Sequence, residues 1–216
     1  MRVRICIFLL SMALLLAGCI ATTKTYKPTE AEAPLWKQAD RSIFPSDVRR
    51  DLAASKGAMV QWIGIVREMN FIPWNDQYCL ELKLEQRHWD YVEDSSVQQE
   101  KIFLSPLGEG TFYFINPIQQ GRLEEAKAEL VKMAAPPNLA LVYGMVADLR
   151  SGDPLLHGNF VKLVDESHYA TNIFQYEVKR DETGRVVLNE KGMPQLTNFE
   201  VLKFAEPGRN QAKEDK

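Results

Sequence analysis

Three histidines, His88, His157 and His168, are the first candidates for chemistry in this chain, since imidazole titrates near neutral pH and is the commonest metal ligand. They lie far apart, and neither an HExxH nor a CxxC spacing accompanies them, so a zinc site would have to be assembled from distant segments. Two carboxylate pairs, Glu124-Glu125 and Asp165-Glu166, offer acid–base groups. Adjacent residues do not share a face of a helix or strand, so each pair reads as a solvated edge. The chain has no Gly-x-Ser-x-Gly, no phosphate-binding loop and no dinucleotide-binding glycine pattern, and Ser151-Gly152-Asp153-Pro154 reads as a turn. Catalysis is disfavoured, and neither a metal nor a cofactor is expected. The remaining chemistry is aromatic. Trp74, Trp89 and Tyr91 flank one strand, where flat rings can stack on a sugar, a peptide or a partner's side chain. The alternative for Trp89 is a packed cover over a barrel end, while Trp62, Phe112 and Tyr143 read as core.

The elements that would carry these residues are mostly strands. Residues 58–68 (AMVQWIGIVRE) are rich in β-branched and aromatic residues around Gly64, and a glycine inside such a run marks a bulge or a sharp bend. After a loop containing Pro73-Trp74-Asn75-Asp76, residues 78–89 alternate. Leu80, Leu82 and Leu84 point one way and Glu81, Lys83 and Glu85 the other, the period of a half-buried antiparallel strand. Residues 90–100 form a polar excursion, and 101–104 and 111–115 supply further strand. A helix is expected over 122–135, with Leu123, Ala126, Leu130, Met133 and Ala134 on one stripe, ended by Pro136-Pro137. A second glycine-centred strand follows at 139–149 (LALVYGMVADL), with weaker strands at 160–164 and 172–179. A short helix capped by Ser46 precedes the first strand. Beyond Gln175 the chain reads as two or three hairpin arms.

The N-terminus carries a different signal. Arg2 and Arg4 precede an apolar run, Ile5 to Leu16, interrupted by Ser11, which is the layout of a secretory signal and too short to span a bilayer. It ends in Leu14-Leu15-Leu16-Ala17-Gly18-Cys19, which resembles the lipobox of bacterial lipoproteins. That resemblance implies removal of residues 1–18, lipidation of Cys19 by a diacylglyceryl thioether and an N-acyl chain such as palmitate, and, with Ile20 rather than aspartate next, an outer-membrane location facing the periplasm. Cys6 would leave with the signal, so Cys79 would be alone, unable to form an intramolecular disulfide and best read as a small packed hydrophobe. Of 216 residues, 198 would remain, enough for one domain. Loss of Arg2 and Arg4 leaves 24 basic residues against 29 acidic ones. This balance is expected to exclude nucleic acid, whose phosphates call for Lys and Arg.

The order strand, strand, strand, helix, strand, strand, with glycine-kinked first and fourth strands, is similar to an OB-fold, a five-stranded Greek-key barrel with its helix after the third strand. With the lipobox, Lys56-Gly57, the stretch Met59-Val60-Gln61-Trp62-Ile63-Gly64-Ile65 and the later Leu141-Val142-Tyr143-Gly144-Met145-Val146, the chain resembles the Slp-type outer-membrane lipoproteins. The expected architecture is mainly β with one or two helices: signal peptide 1–18, flexible tether 19–35, OB-like five-stranded barrel 36–175, C-terminal β-hairpin extension 176–205 and disordered tail 206–216. The expected work is binding or scaffolding at the outer membrane, with the bilayer engaged through the lipid and an envelope protein or peptidoglycan as partner. The other readings are an envelope hydrolase or metal-binding protein with a site built from distant residues, and a structural stress lipoprotein.

Overall fold

A computed structural model describes residue 26 and residues 28–74, 77–94, 99–118, 123–133, 138–164, 169–171, 174–190 and 194–201. The signal, Cys19, Asp165-Glu166, His168, Pro136-Pro137 and the tail 206–216 lie outside the described residues. Five strands close a barrel in the order β1-β2-β5-β7-β6: β1 (Met59–Trp74), β2 (Gln77–Gln86), β5 (Gly110–Pro117), β6 (Leu139–Arg150) and β7 (Asp153–Val164). Between β2 and β5 the chain makes β3 (Trp89–Asp94) and β4 (Gln99–Leu104), which join β8 (Tyr169–Thr171) in a small separate sheet. The polar excursion is therefore a hairpin. Helices are few and short: α1 (Ala33–Gln38), α2 (Pro45–Arg50), α3 (Leu52–Ser55) and α4 (Leu123–Met133). All barrel pairs are antiparallel except β5 with β7, and α4 falls between the third and fourth barrel strands. This is the OB-like order.

Alternation decides the interior. Leu80, Leu82 and Leu84 of β2 and Phe112 and Phe114 of β5 are at most 1% exposed and share a core with Val60, Trp62 and Leu156. Each such side chain contributes roughly 1.5–3 kcal/mol by leaving water. Trp62 crosses Phe112 edge-on at 5.0 Å, and its Nε1–H donates to Ile43 O at 2.7 Å. Gly64 marks a close approach and not the bulge, which falls further along β1 between Val66 and Glu68. Gly64 pairs with Gln86 of β2 on one side and Ala140 of β6 on the other, and a Cβ there would come 2.9 Å from Glu85 O. Strand β1 also runs on through Trp74, past the loop expected from Pro73.

The two ends of the barrel are stopped by helices. Leu123 and Ala126 of α4 pack on the core just after β5 ends, while Val48 and Leu52 close the other end, where Arg49 donates to Thr111 O at 3.1 Å. The first turn of α2 starts at Pro45, not at a Ser46 cap. Asp47 accepts the Phe44 N–H at 3.0 Å, and the Ser46 hydroxyl donates to Glu109 instead.

A second core lies outside the barrel wall. Ile63 and Ile65 of β1 and Leu139, Leu141 and Tyr143 of β6 are buried on their outer faces as well. They are covered by the β3–β4–β8 sheet and by the segment 26–38, most of which the composition assigned to a tether. Tyr26, 7% exposed, sits 5.4 Å from the Trp36 ring and 5.3 Å from that of Trp89. Glu32, fully buried, accepts from Tyr26 Oη at 2.6 Å and from Thr29 N at 2.9 Å, with Tyr143 Oη at 3.5 Å. Burial opposes its ionisation, but these donors and nearby Lys162 outweigh it and hold the carboxyl below its ordinary value. Burial and the Glu32 charge push the Tyr143 phenol up.

The C-terminal arms dock on the barrel end. In the two-stranded sheet, β9 (Phe174–Val178) pairs with β10 (Leu196–Val201). Arg180, just after β9, binds Asp47 at 2.6 Å, Glu109 at 3.2 Å and Gly184 O at 2.8 Å.

Candidate ligand-binding face

The outward residues of β2 and β5 form a grid set by strand register. One row runs Glu68, Lys83, Tyr113, Leu155, and the next runs Asn70, Glu81, Ile115, His157. Beside them, Cys79, Ile115 and Leu155 make a buried apolar floor against which Ile72, Trp74 and Tyr113 pack. Tyr113 is half-buried and flanked by two cations. Lys83 Nζ lies 5.7 Å and Arg150 Cζ 5.1 Å from its ring centroid, within the range of cation–π attraction. Both cations are also paired. Lys83 donates to Glu68 at 3.1 Å, and Arg150 binds the buried Glu81. The Glu68 hydrogen bond, with Tyr113 close by, raises the Lys83 pKa and keeps it charged. Trp74 meets His157 edge-on at 5.8 Å at the border of this face, and Lys127 of α4 lies 5.9 Å from the ring of Tyr78, itself 46% exposed.

The residues singled out from sequence are not gathered together. Trp74 belongs to this face. Trp89 belongs to the outer core on β1 and β6, packed on Tyr26, and its carbonyl accepts from Tyr176 Oη at 2.8 Å. Tyr91 pairs with Ile102 in β3–β4. His157 is exposed, whereas His88 is 6% exposed between the rings of Phe44 and Tyr176, 3.7 Å from Glu109. Burial pushes its pKa down, against the pull of Glu109 and with the push of Arg180. Among the described residues no three His, Cys, Asp or Glu side chains are placed to hold a metal ion, and no helix is long and apolar enough to cross a membrane. Tyr113, Lys83 and Arg150 escaped the sequence reading. The signal was present in β5, where Phe112 and Phe114 alternate with Thr111, Tyr113 and Ile115, but Arg150 joins the group only through the fold.

No protein-family model matches the chain, and no curated protein matches it in sequence. Solved structures do. A small single-stranded DNA-binding protein from Streptomyces coelicolor is similar at 12% identity and a TM-score of 0.32, over 53% of this chain and 98% of its own. A lipoprotein from Klebsiella pneumoniae subsp. pneumoniae, to which nucleic-acid binding is ascribed, is similar at 16% identity and a TM-score of 0.28, over 68% of this chain and 95% of its own. By its strand order the chain is an OB-like barrel. The acidic balance was expected to exclude nucleic acid as a partner, and that exclusion is corrected: both similar proteins are described as nucleic-acid binders. The physical fault lies in the premise, because net charge sums a whole surface and sets no bound on a local patch. Likeness at this level assigns this chain no ligand, and the fold rests on the strand order itself.

Proposed function

We propose that this protein is a binding module of the bacterial envelope, anchored to the outer membrane through lipidated Cys19 and related to the Slp-type lipoproteins, whose outward β2–β5 face takes the ligand. The observation that carries this reading is Tyr113, half-buried between Lys83 and Arg150 on the outward side of the sheet. A fixed aromatic ring ringed by hydrogen-bonding groups binds flat or ring-shaped ligand groups by stacking, and orients them through the polar rim. Because Glu68 and Glu81 balance the two cations, the face recognises shape and hydrogen bonds more than charge. An envelope protein or the peptidoglycan is the partner that fits the compartment. The role proposed for this face is binding.

The test is in-cell photocrosslinking from a benzophenone amino acid at Tyr113, compared with the same group at Trp36 on the other side of the barrel. A discrete adduct from Tyr113 alone supports the reading, and its sensitivity to protease, muramidase or nuclease names the partner's class. Equal, diffuse adducts from both positions would refute a dedicated face.

A further inference from the structure

Residues 26–38 are fastened to the barrel, and this shortens the distance between the anchor and the domain. Tyr26 is wedged against Trp36 and Trp89 and donates to the buried Glu32. Six residues separate it from Cys19, so the connection reaches at most roughly 25 Å fully extended. Were 26–38 free, the first fixed point would be the buried Ala39, and the reach would be roughly 70 Å.

The place of attachment matters as much as the length. The segment covers the outer faces of β1 and β6, and in the ring β1-β2-β5-β7-β6 the edge opposite β6 is the β2–β5 pair. A domain of this size is roughly 40 Å across. If the β2–β5 face lay on the bilayer, the attachment point would stand higher than the leash can reach.

Resting on the lipidation of Cys19 read above, we infer that the docked segment 26–38 works as an orienting strap: the β1–β6 side rides against the lipid headgroups, and the β2–β5 face is turned to the aqueous side. This side is charge-balanced, with Lys37 and Arg41 beside exposed Glu30 and Asp40, so the short leash and not surface charge sets the orientation. A ligand of the Tyr113 face is thus met from solution or from the cell wall, and a lipid headgroup of the protein's own leaflet is out of reach.

The experiment uses the full lipoprotein reconstituted in vesicles of phosphatidylethanolamine and phosphatidylglycerol that contain an energy-accepting lipid. A fluorophore is carried at Lys37→Cys or at Gln77→Cys, both exposed positions, and buried Cys79 is spared. Loss of donor fluorescence at position 37, with little at 77, is expected. A flexible stretch of about 30 residues inserted after Ile20, which reaches well past the width of the domain and leaves the packed residues untouched, should erase the difference. Equal loss at both positions in a chain shown by mass spectrometry to be lipidated would overturn the strap alone. A chain that carries no lipid and does not float with the vesicles would overturn the anchor as well.

Discussion

Glu32→Gln is the most informative single change, because it removes one charge from the strap and leaves its shape. The carboxylate accepts from Tyr26 Oη at 2.6 Å and Thr29 N at 2.9 Å. Hydrogen bonds to a charged group contribute about 1.5–3 kcal/mol each, against about 1 kcal/mol for neutral ones. A glutamine keeps an oxygen for one donor and turns an NH2 toward the other, where the Tyr26 hydroxyl can still accept. The loss is the difference between charged and neutral bonding, about 2 kcal/mol, which lowers Tm by roughly 4–8 °C in a domain of this size. The pH dependence has a definite sign. A carboxyl held below its ordinary value near 4.5 stabilises the fold above that value and loses the contribution as pH falls through the depressed one. The gap in Tm between the two proteins should therefore be full at pH 7 and shrink below about pH 4.5. Melts followed by the fluorescence of Trp36 and Trp89 across that range measure it. A gap under 1 °C at pH 7, or one that widens in acid, would refute the account of the strap.

Gly144→Ala puts a Cβ 2.8 Å from His157 O and 3.1 Å from Leu156 Cβ, both on β7, so overpacking should cost about 1–3 kcal/mol in a denaturant melt. Arg180→Met strips Glu109 of its arginine and leaves Asp47 with Arg50 alone. The His88 pKa should then rise, since Arg180 is the charge pushing it down, and proton NMR titration of the imidazole reads the shift. Cys79, fully buried with its thiol pKa raised by that burial, should react with a thiol reagent only as the barrel unfolds; prompt reaction in native buffer would place it at the surface. Tyr113→Ala removes a half-buried ring packed on Cys79, Ile115 and Leu155, so it should lower Tm by about 2–4 °C for each kcal/mol lost and, in the folded protein, abolish the specific crosslinks of a probe at His157, one register row away.

Much of the barrel was legible in the chain because each strand buries one regular face. The leucines of β2 alternate without a break, and the glycines of β1 and β6 announce close approaches that the structure shows to the backbone of Glu85 and His157. Strands buried on both faces lose that signal. In β6 every residue from Leu139 to Gly144 is buried, which says strand but not which side faces in. The strap was missed for a related reason. Tyr26, Glu32 and Trp36 are scattered through a Pro- and Thr-rich stretch, and their packing depends on Tyr143 and Trp89, more than fifty residues away in sequence. Trp89 shows the limit of reading aromatics: its residue type was noticed, but the chain alone did not reveal that Tyr26 would cover it. The binding face has the same difficulty. Lys83, Tyr113 and Arg150 come from three strands, and only register makes them neighbours.

The lone parallel contact in the barrel has a kinetic consequence. Strands β5 and β7 meet at only three paired positions, Tyr113 with Leu155, Phe114 with Leu156 and Ile115 with His157, whereas β6 and β7 share eleven. The β1–β2 and β6–β7 hairpins form from contacts close along the chain, but closing the barrel needs two distant seams: β5–β7, with partners 42 residues apart, and β1–β6, with partners 74–86 apart. Loop closure of such length is slow. With the fewest pairs in the barrel, the β5–β7 seam is the first to slip, and amide exchange at Leu155–His157 should run ahead of the rest of β7.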